Sequence, residues 1–149
     1  MTQFRAIAIV DDDDLVRSAT ASLVRALGFP SRSFASAVEY LEADTSDIAC
    51  VISDVQMPEL SGIQLQQRLA QRGSAPPLLL MTAFPDARLR AQALAAGAIA
   101  FLEKPVDGDA LLEILERALV SLSWSGARIV QATAAFANRI ACPTSIVTQ

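Results

Sequence analysis

Histidine is absent from this 149-residue chain, and several other reactive side chains are scarce. There are two cysteines, one tyrosine and one tryptophan, and of twelve basic residues only Lys104 is a lysine. Each shortage narrows the field. Without histidine, and with Cys50 and Cys142 far apart and in no CxxC pair, the chain has no donor set for zinc. Cys50, inside ACVIS, reads as a small buried apolar residue. No apolar run approaches the ~20 residues of a membrane helix, so no membrane role is expected. The opening MTQFRAIAIVDDDD lacks the basic, apolar and small-residue sections of a signal peptide, which points to the cytoplasm. A net charge of −4 argues against direct nucleic-acid binding, which calls for a basic patch.

What the chain does have is apolar residues, 52% of the total, enough for one domain with a core that needs no disulfide or structural metal. Short apolar runs alternate with longer, helically spaced stretches. FRAIAIV (4–10), ACVIS (49–53), PLLLM (77–81) and AIAFL (98–102) read as strands, with SRSF (31–34) a weaker fifth. Between them, Leu15, Ala19, Leu23 and Leu27 step by four up to the stop at Gly28. Ser36-x-x-Glu39 and Ser61-x-x-Gln64 are capping boxes, and Gly73 and Gly97 close the third and fourth helical stretches. Residues 107–122 carry Leu111, Leu112, Leu115 and Leu119 on one stripe. Five strands alternating with five helices predict an α/β domain, and uniformly apolar strands predict a parallel sheet covered on both faces. Beyond SWSG (123–126), Ile129, Thr133, Phe136 and Ile140 predict a short helix over about 127–141, a docking helix or tail.

The polar residues that end the strands carry the chemistry. Asp11 and Asp12 follow the first strand, Asp54 the third, Thr82 the fourth and Lys104 the fifth. Ligands of open parallel sheets bind beyond the carboxyl ends of the strands. Each residue alone has an ordinary use: helix capping for the DDDD run, a turn for Asp54, a backbone bond for Thr82, a solvated charge for Lys104. Asp13 and Asp14 are expected to serve the first helix in that way. The others together place three carboxylates, a hydroxyl and an amine at one sheet edge. Crowded carboxylates call for a bound cation or raised pKa values. Oxygen donors without His or Cys select a hard ion, Mg²⁺ by preference, typically shared with a phosphate. An aspartate can then be the nucleophile, forming an acyl phosphate, while the compact lysine charge reaches a bound oxygen.

IVDDDD (9–14), VISDVQMPELSG (51–62), LLLMTAF (78–84) and AAGAIAFLEKPV (95–106) resemble the motifs of response-regulator receiver domains of two-component signalling, over about residues 4–120. The resemblance implies a flavodoxin-like, doubly wound five-stranded parallel sheet of order 2-1-3-4-5 with five helices. It implies that Asp54 is the phosphoacceptor, served by a sensor histidine kinase. Asp11 and Asp12 would hold Mg²⁺ together with Asp54 and the Gln56 backbone carbonyl, Asp12 being the direct ligand of the pair. Thr82 would be the switch hydroxyl, and Lys104 would bond the phosphoryl group, with Pro105 following in a cis peptide. Phe101 would be an aromatic switch that turns inward on activation. Gln56 and Phe84 match positions that tune dephosphorylation, and the bulk of Phe84 predicts slow loss of phosphate. The face of the fourth helix, fifth strand and fifth helix is the expected output or homodimer surface.

Residues 1–122 are thus expected to be the receiver and 123–149 an extension with no recognisable output domain. Arg128 and Arg139 are its only basic residues, and it is too short for a helix-turn-helix. Either the receiver stands alone or it is part of a truncated helix-turn-helix regulator. A Mg²⁺-dependent aspartyl phosphatase of the haloacid dehalogenase type, with Asp11 and Asp13 as its pair, would leave VISDVQMP unexplained. A degenerate receiver that only binds partners would not need the full set of site residues.

Overall fold

The computed structural model describes residues 5–73 and 75–122, so the extension and its expected helix lie outside the described residues. In chain order the elements are β1 (Ala6–Val10), α1 (Asp14–Ala26), β2 (Ser31–Phe34), α2 (Ala37–Glu42), β3 (Ile48–Asp54), α3 (Gly62–Gln71), β4 (Leu78–Thr82), α4 (Ala87–Ala95), β5 (Ala100–Glu103) and α5 (Gly108–Leu122). The strands form one parallel sheet in the order β2-β1-β3-β4-β5, as expected. Contacts divide the described chain after Gly108, and the whole sheet lies in the first unit.

The uniformly apolar strands are the central ones, and every residue of β1, β3 and β4 is buried. Alternate residues serve opposite faces. Ala8, Val10, Val51, Leu78 and Leu80 join a core with Tyr40 of α2, Leu65 and Leu69 of α3 and Ala93 of α4. Ile7, Ile9, Ile52, Leu79 and Met81 point to the other face and are fully buried too. Each such side chain contributes about 2 kcal/mol through removal from water. Cys50 is among them, with no exposure, and burial pushes its thiol pKa up to about 12, so it behaves as an apolar filler.

Helix ends follow the chemistry read from the sequence. Asp13 caps α1, accepting from Leu15 N and Val16 N, and Asp14 pairs with Arg17. Ser61 and Gln64 complete a reciprocal capping box on α3. The Ser36 hydroxyl caps α2, but the Glu39 carboxylate accepts from Ala35 N, one residue before the cap. Gly28, Gly73 and Gly97 have positive φ just past α1, α3 and α4.

Helix α1 forms where the step-of-four row predicts it, but that row is not its buried face. Its buried residues are Thr20, Ala21 and Val24, whereas Leu15 is 83% exposed and Ala19 is exposed. A step of four overshoots the helical turn by about 40°, so a row of four such residues wraps some 120° around the cylinder and cannot all face one sheet. On α5, Leu111 and Leu115 are buried and Leu112 and Leu119 half-buried, as the sequence predicts.

Candidate functional site

Two adjacent parallel strands, β1 and β3, end side by side where the acidic residues begin. Asp54 is the last residue of β3 and Asp11 the first beyond β1; the register pairs Val10 with Ser53. Carboxylate oxygens of Asp11, Asp12 and Asp54 lie within 4.8 Å of one another. Asp11 is fully buried, Asp54 nearly so and Asp12 exposed. An all-oxygen cluster of this kind fits a hard divalent cation, because it concentrates negative charge without offering nitrogen or sulfur.

Lys104 crosses from β5 to meet it. Its Nζ lies 3.0 Å from Asp11 Oδ2 and 3.2 Å from Asp54 Oδ1, with the side chain largely buried. Burial and the neighbouring Asp11 charge hold the Asp54 carboxyl above the usual carboxylate range, although Lys104 opposes them. Burial alone would lower the Lys104 pKa, but its bond to Asp11 and the charges of Asp54 and Asp11 win and raise it. The site holds one cation against three acids, which leaves it short of positive charge.

Thr82, at the end of β4, is fully buried. Its hydroxyl accepts from Phe84 N at 3.1 Å, and its carbonyl accepts from Lys104 N at 2.8 Å, tying β4 to the lysine. The Lys104–Pro105 peptide is cis. Gln56 is exposed on the loop just after Asp54. Phe84 is 73% exposed. Phe101 is only 8% exposed and belongs to the core, so its ring already lies inward, beside a groove of about 300 Å³ shared with Pro85, Asp86, Ala87, Arg90 and Glu103. The strand-end residues converge in one place, whereas Phe84 and Phe101 lie on its β4–β5 flank.

Three contributors went unread in the sequence. The Arg17 guanidinium donates to the Asp11 carbonyl at 2.7 Å; an arginine one turn into the helix after an acidic run was the available signal. Ser53 is buried and its hydroxyl bonds the Asp54 carbonyl at 2.9 Å. Gly62, the first residue of α3, sits so close to β3 that a Cβ there would lie 2.4 Å from the Asp54 carbonyl oxygen and 2.6 Å from Leu80 Cδ2. Its N–H donates to Val55 O at 2.8 Å, which seats the helix on the strand end.

A family model described as "Response regulator receiver domain" matches residues 7–116. The transcriptional regulatory protein TdiR of Thauera aromatica is 40% identical over 114 residues, 76% of this chain and 50% of its own length. The response regulator protein TmoT of Ectopseudomonas mendocina is 40% identical over 119 residues, 78% of this chain and 54% of its own. The chain therefore spans about half the length of these relatives. Among solved structures, FixJ-N superposes with a TM-score of 0.71 at 30% identity, covering 78% of this chain and 94% of that one. Among the described residues, no helix is long and apolar enough to cross a membrane.

Proposed function

This chain belongs to the response regulator receiver domain family, and on that premise we propose that it is the phosphoacceptor of a two-component phosphorelay, taking a phosphoryl group on Asp54 from the histidine of a sensor kinase. The observation that carries the reading is Lys104 Nζ reaching both Asp54 and Asp11, the latter 93 residues away in sequence. That placement puts a positive charge beside the nucleophile, where a phosphoryl oxygen would need it.

In the reaction an Asp54 carboxylate oxygen attacks phosphorus, the bond from phosphorus to the donor imidazole breaks, and the imidazole leaves with its electron pair. The acyl phosphate stays on Asp54. Mg²⁺, when held by Asp11, Asp12, Asp54 and the Gln56 carbonyl, supplies the charge neutralisation that the three acids call for. Lys104 bonds a phosphoryl oxygen. The Thr82 hydroxyl gives up its bond from Phe84 N and turns to the phosphoryl group, and Phe101 trades between its buried placement and an exposed one. Phe84 screens the group from water and slows its hydrolysis. The phosphatase alternative is weaker because Asp13, the second acid of its pair, is committed to capping α1, accepting from Leu15 N and Val16 N.

Residues 1–122 act as the receiver in this reading, with 123–149 as an extension, in the cytoplasm. Output runs through protein contact on α4 and β5, where Leu94 of α4 and Ile99, just before β5, are exposed, either to a second copy or to another protein. The naming of TdiR as a transcriptional regulatory protein favours an effect on transcription, in line with a receiver that belongs to a longer regulator. Incubation with acetyl phosphate and Mg²⁺, followed by intact mass and sizing chromatography, tests the proposal. One added phosphoryl group, lost in Asp54→Asn, is expected; catalytic release of phosphate from p-nitrophenyl phosphate without labelling would overturn it.

A further inference from the structure

Asp11 is gripped at every polar atom it owns. Its N–H donates to Phe34 O at 3.1 Å, Oδ1 accepts from Asp13 N at 2.9 Å, Oδ2 from Lys104 Nζ at 3.0 Å and its carbonyl from Arg17 Nη1 at 2.7 Å. The last contact reaches further than Asp11. A peptide unit is planar, so the Asp11 carbonyl shares one rigid plane with the nitrogen and Cα of Asp12. Whatever fixes that carbonyl also places the Asp12 Cα, the root of the exposed carboxylate that converges with Asp11 and Asp54 within 4.8 Å. Arg17 is suited to the task. It stands in the second turn of α1, its backbone N–H bonds Asp13 O at 2.8 Å, its other guanidinium nitrogen pairs with Asp14, and its side chain is only 19% exposed.

We propose that Arg17 is a positioning residue for the acidic site: by holding the Asp11 carbonyl it orients Asp12 for the divalent cation, and so sets cation affinity without touching the reacting atoms. This rests on the phosphoacceptor reading. Two simpler roles make different forecasts. A purely electrostatic role has the opposite sign, because a cation beside a cation site repels it, and its removal would tighten Mg²⁺ binding. A purely structural role would lower the thermal midpoint and leave affinity alone.

The experiment measures Mg²⁺ binding to the whole chain by calorimetry, the thermal midpoint without Mg²⁺, and the rate of Asp54 labelling by acetyl phosphate across Mg²⁺ concentrations. Arg17→Met is expected to weaken the Mg²⁺ dissociation constant about tenfold, the size of one charge-assisted hydrogen bond. Labelling at saturating Mg²⁺ should stay within about threefold of the parent, since the reacting groups are intact. Arg17→Lys keeps the charge but not the fork, and should weaken binding about threefold; it also serves if Arg17→Met does not fold. Asp14→Asn, which breaks the ion pair and leaves the carbonyl bond, should stay within about twofold. Equal or tighter binding in Arg17→Met, or in Arg17→Lys where that stands in for it, overturns the proposal. So does an Asp14→Asn effect as large as that of the Arg17 variant. A parent chain that binds no Mg²⁺ overturns the phosphoacceptor reading and the Arg17 role with it.

Discussion

On the β1–β3 side of the site, Asp11 is fixed through four polar atoms, Asp54 is bonded to Lys104, and the strand end is clamped by Gly62 and Ser53. On the β4–β5 side the Thr82 hydroxyl accepts one backbone bond, from Phe84, whose ring is 73% exposed, and Phe101 is a buried ring in a strand with exposed and half-buried neighbours. Charge-assisted bonds on the first side make rearrangement costly. A single neutral bond on the second, worth about 1 kcal/mol net, makes it cheap. Under the proposed function, the rigid side would receive the phosphoryl group and the loose side would carry the conformational response.

The sharpest test replaces Asp54 with Asn, which should abolish labelling by acetyl phosphate as read by intact mass. Lys104→Ala should come next. Removing the ammonium that bridges the Asp11 and Asp54 carboxylates should destabilise the fold by about 3 kcal/mol in urea unfolding and slow labelling about 100-fold or more. Thr82→Val keeps shape and loses the hydroxyl. Labelling should fall by less than about tenfold, while any phosphorylation-linked change in size should vanish. If Thr82→Val slows labelling as much as Lys104→Ala, the two sides are not distinct.

Proton linkage sharpens the comparison further. Asp54 is easier to protonate folded than unfolded, so the folded chain holds the extra proton. Stability of the metal-free protein should therefore fall as pH rises from the ordinary carboxylate range through the raised Asp54 value. Asp54→Asn should flatten that decline in urea titrations at several pH values. The Lys104 contribution has its own window, present below the ordinary lysine range and lost as pH climbs past its raised value. The smallest effect belongs to Phe84→Ala, expected to shorten the phospho-Asp54 lifetime about threefold in a dephosphorylation time course. A parent half-life of seconds would refute the screening role.

Much of this was legible because the fold's strongest sequence signal, apolar runs of strand length, ends where the chemistry begins. The run IAIV points at Asp11, ACVIS at Asp54 and LLLM at Thr82, so locating the strands located these strand-end polar residues. The buried face of α1 was not legible. Leucine content marks which residues favour burial, but which face meets the sheet depends on helix placement, and there Thr20 and Val24 won over Leu15. Arg17 went unread for a related reason: its place after the acidic run was visible, but its target is a backbone carbonyl, which residue identities do not mark.

Gly62 carries a lesson for anyone redesigning the protein. With the Asp54 carbonyl oxygen only 2.4 Å from where a methyl would begin, the gap between α3 and the end of β3 is set by main chain against main chain. Varying the other residues along the helix should do little to retune how Asp54 is presented. A redesign would have to alter the length of the segment spanning residues 55–61, and a library randomised at position 62 should return glycine almost alone.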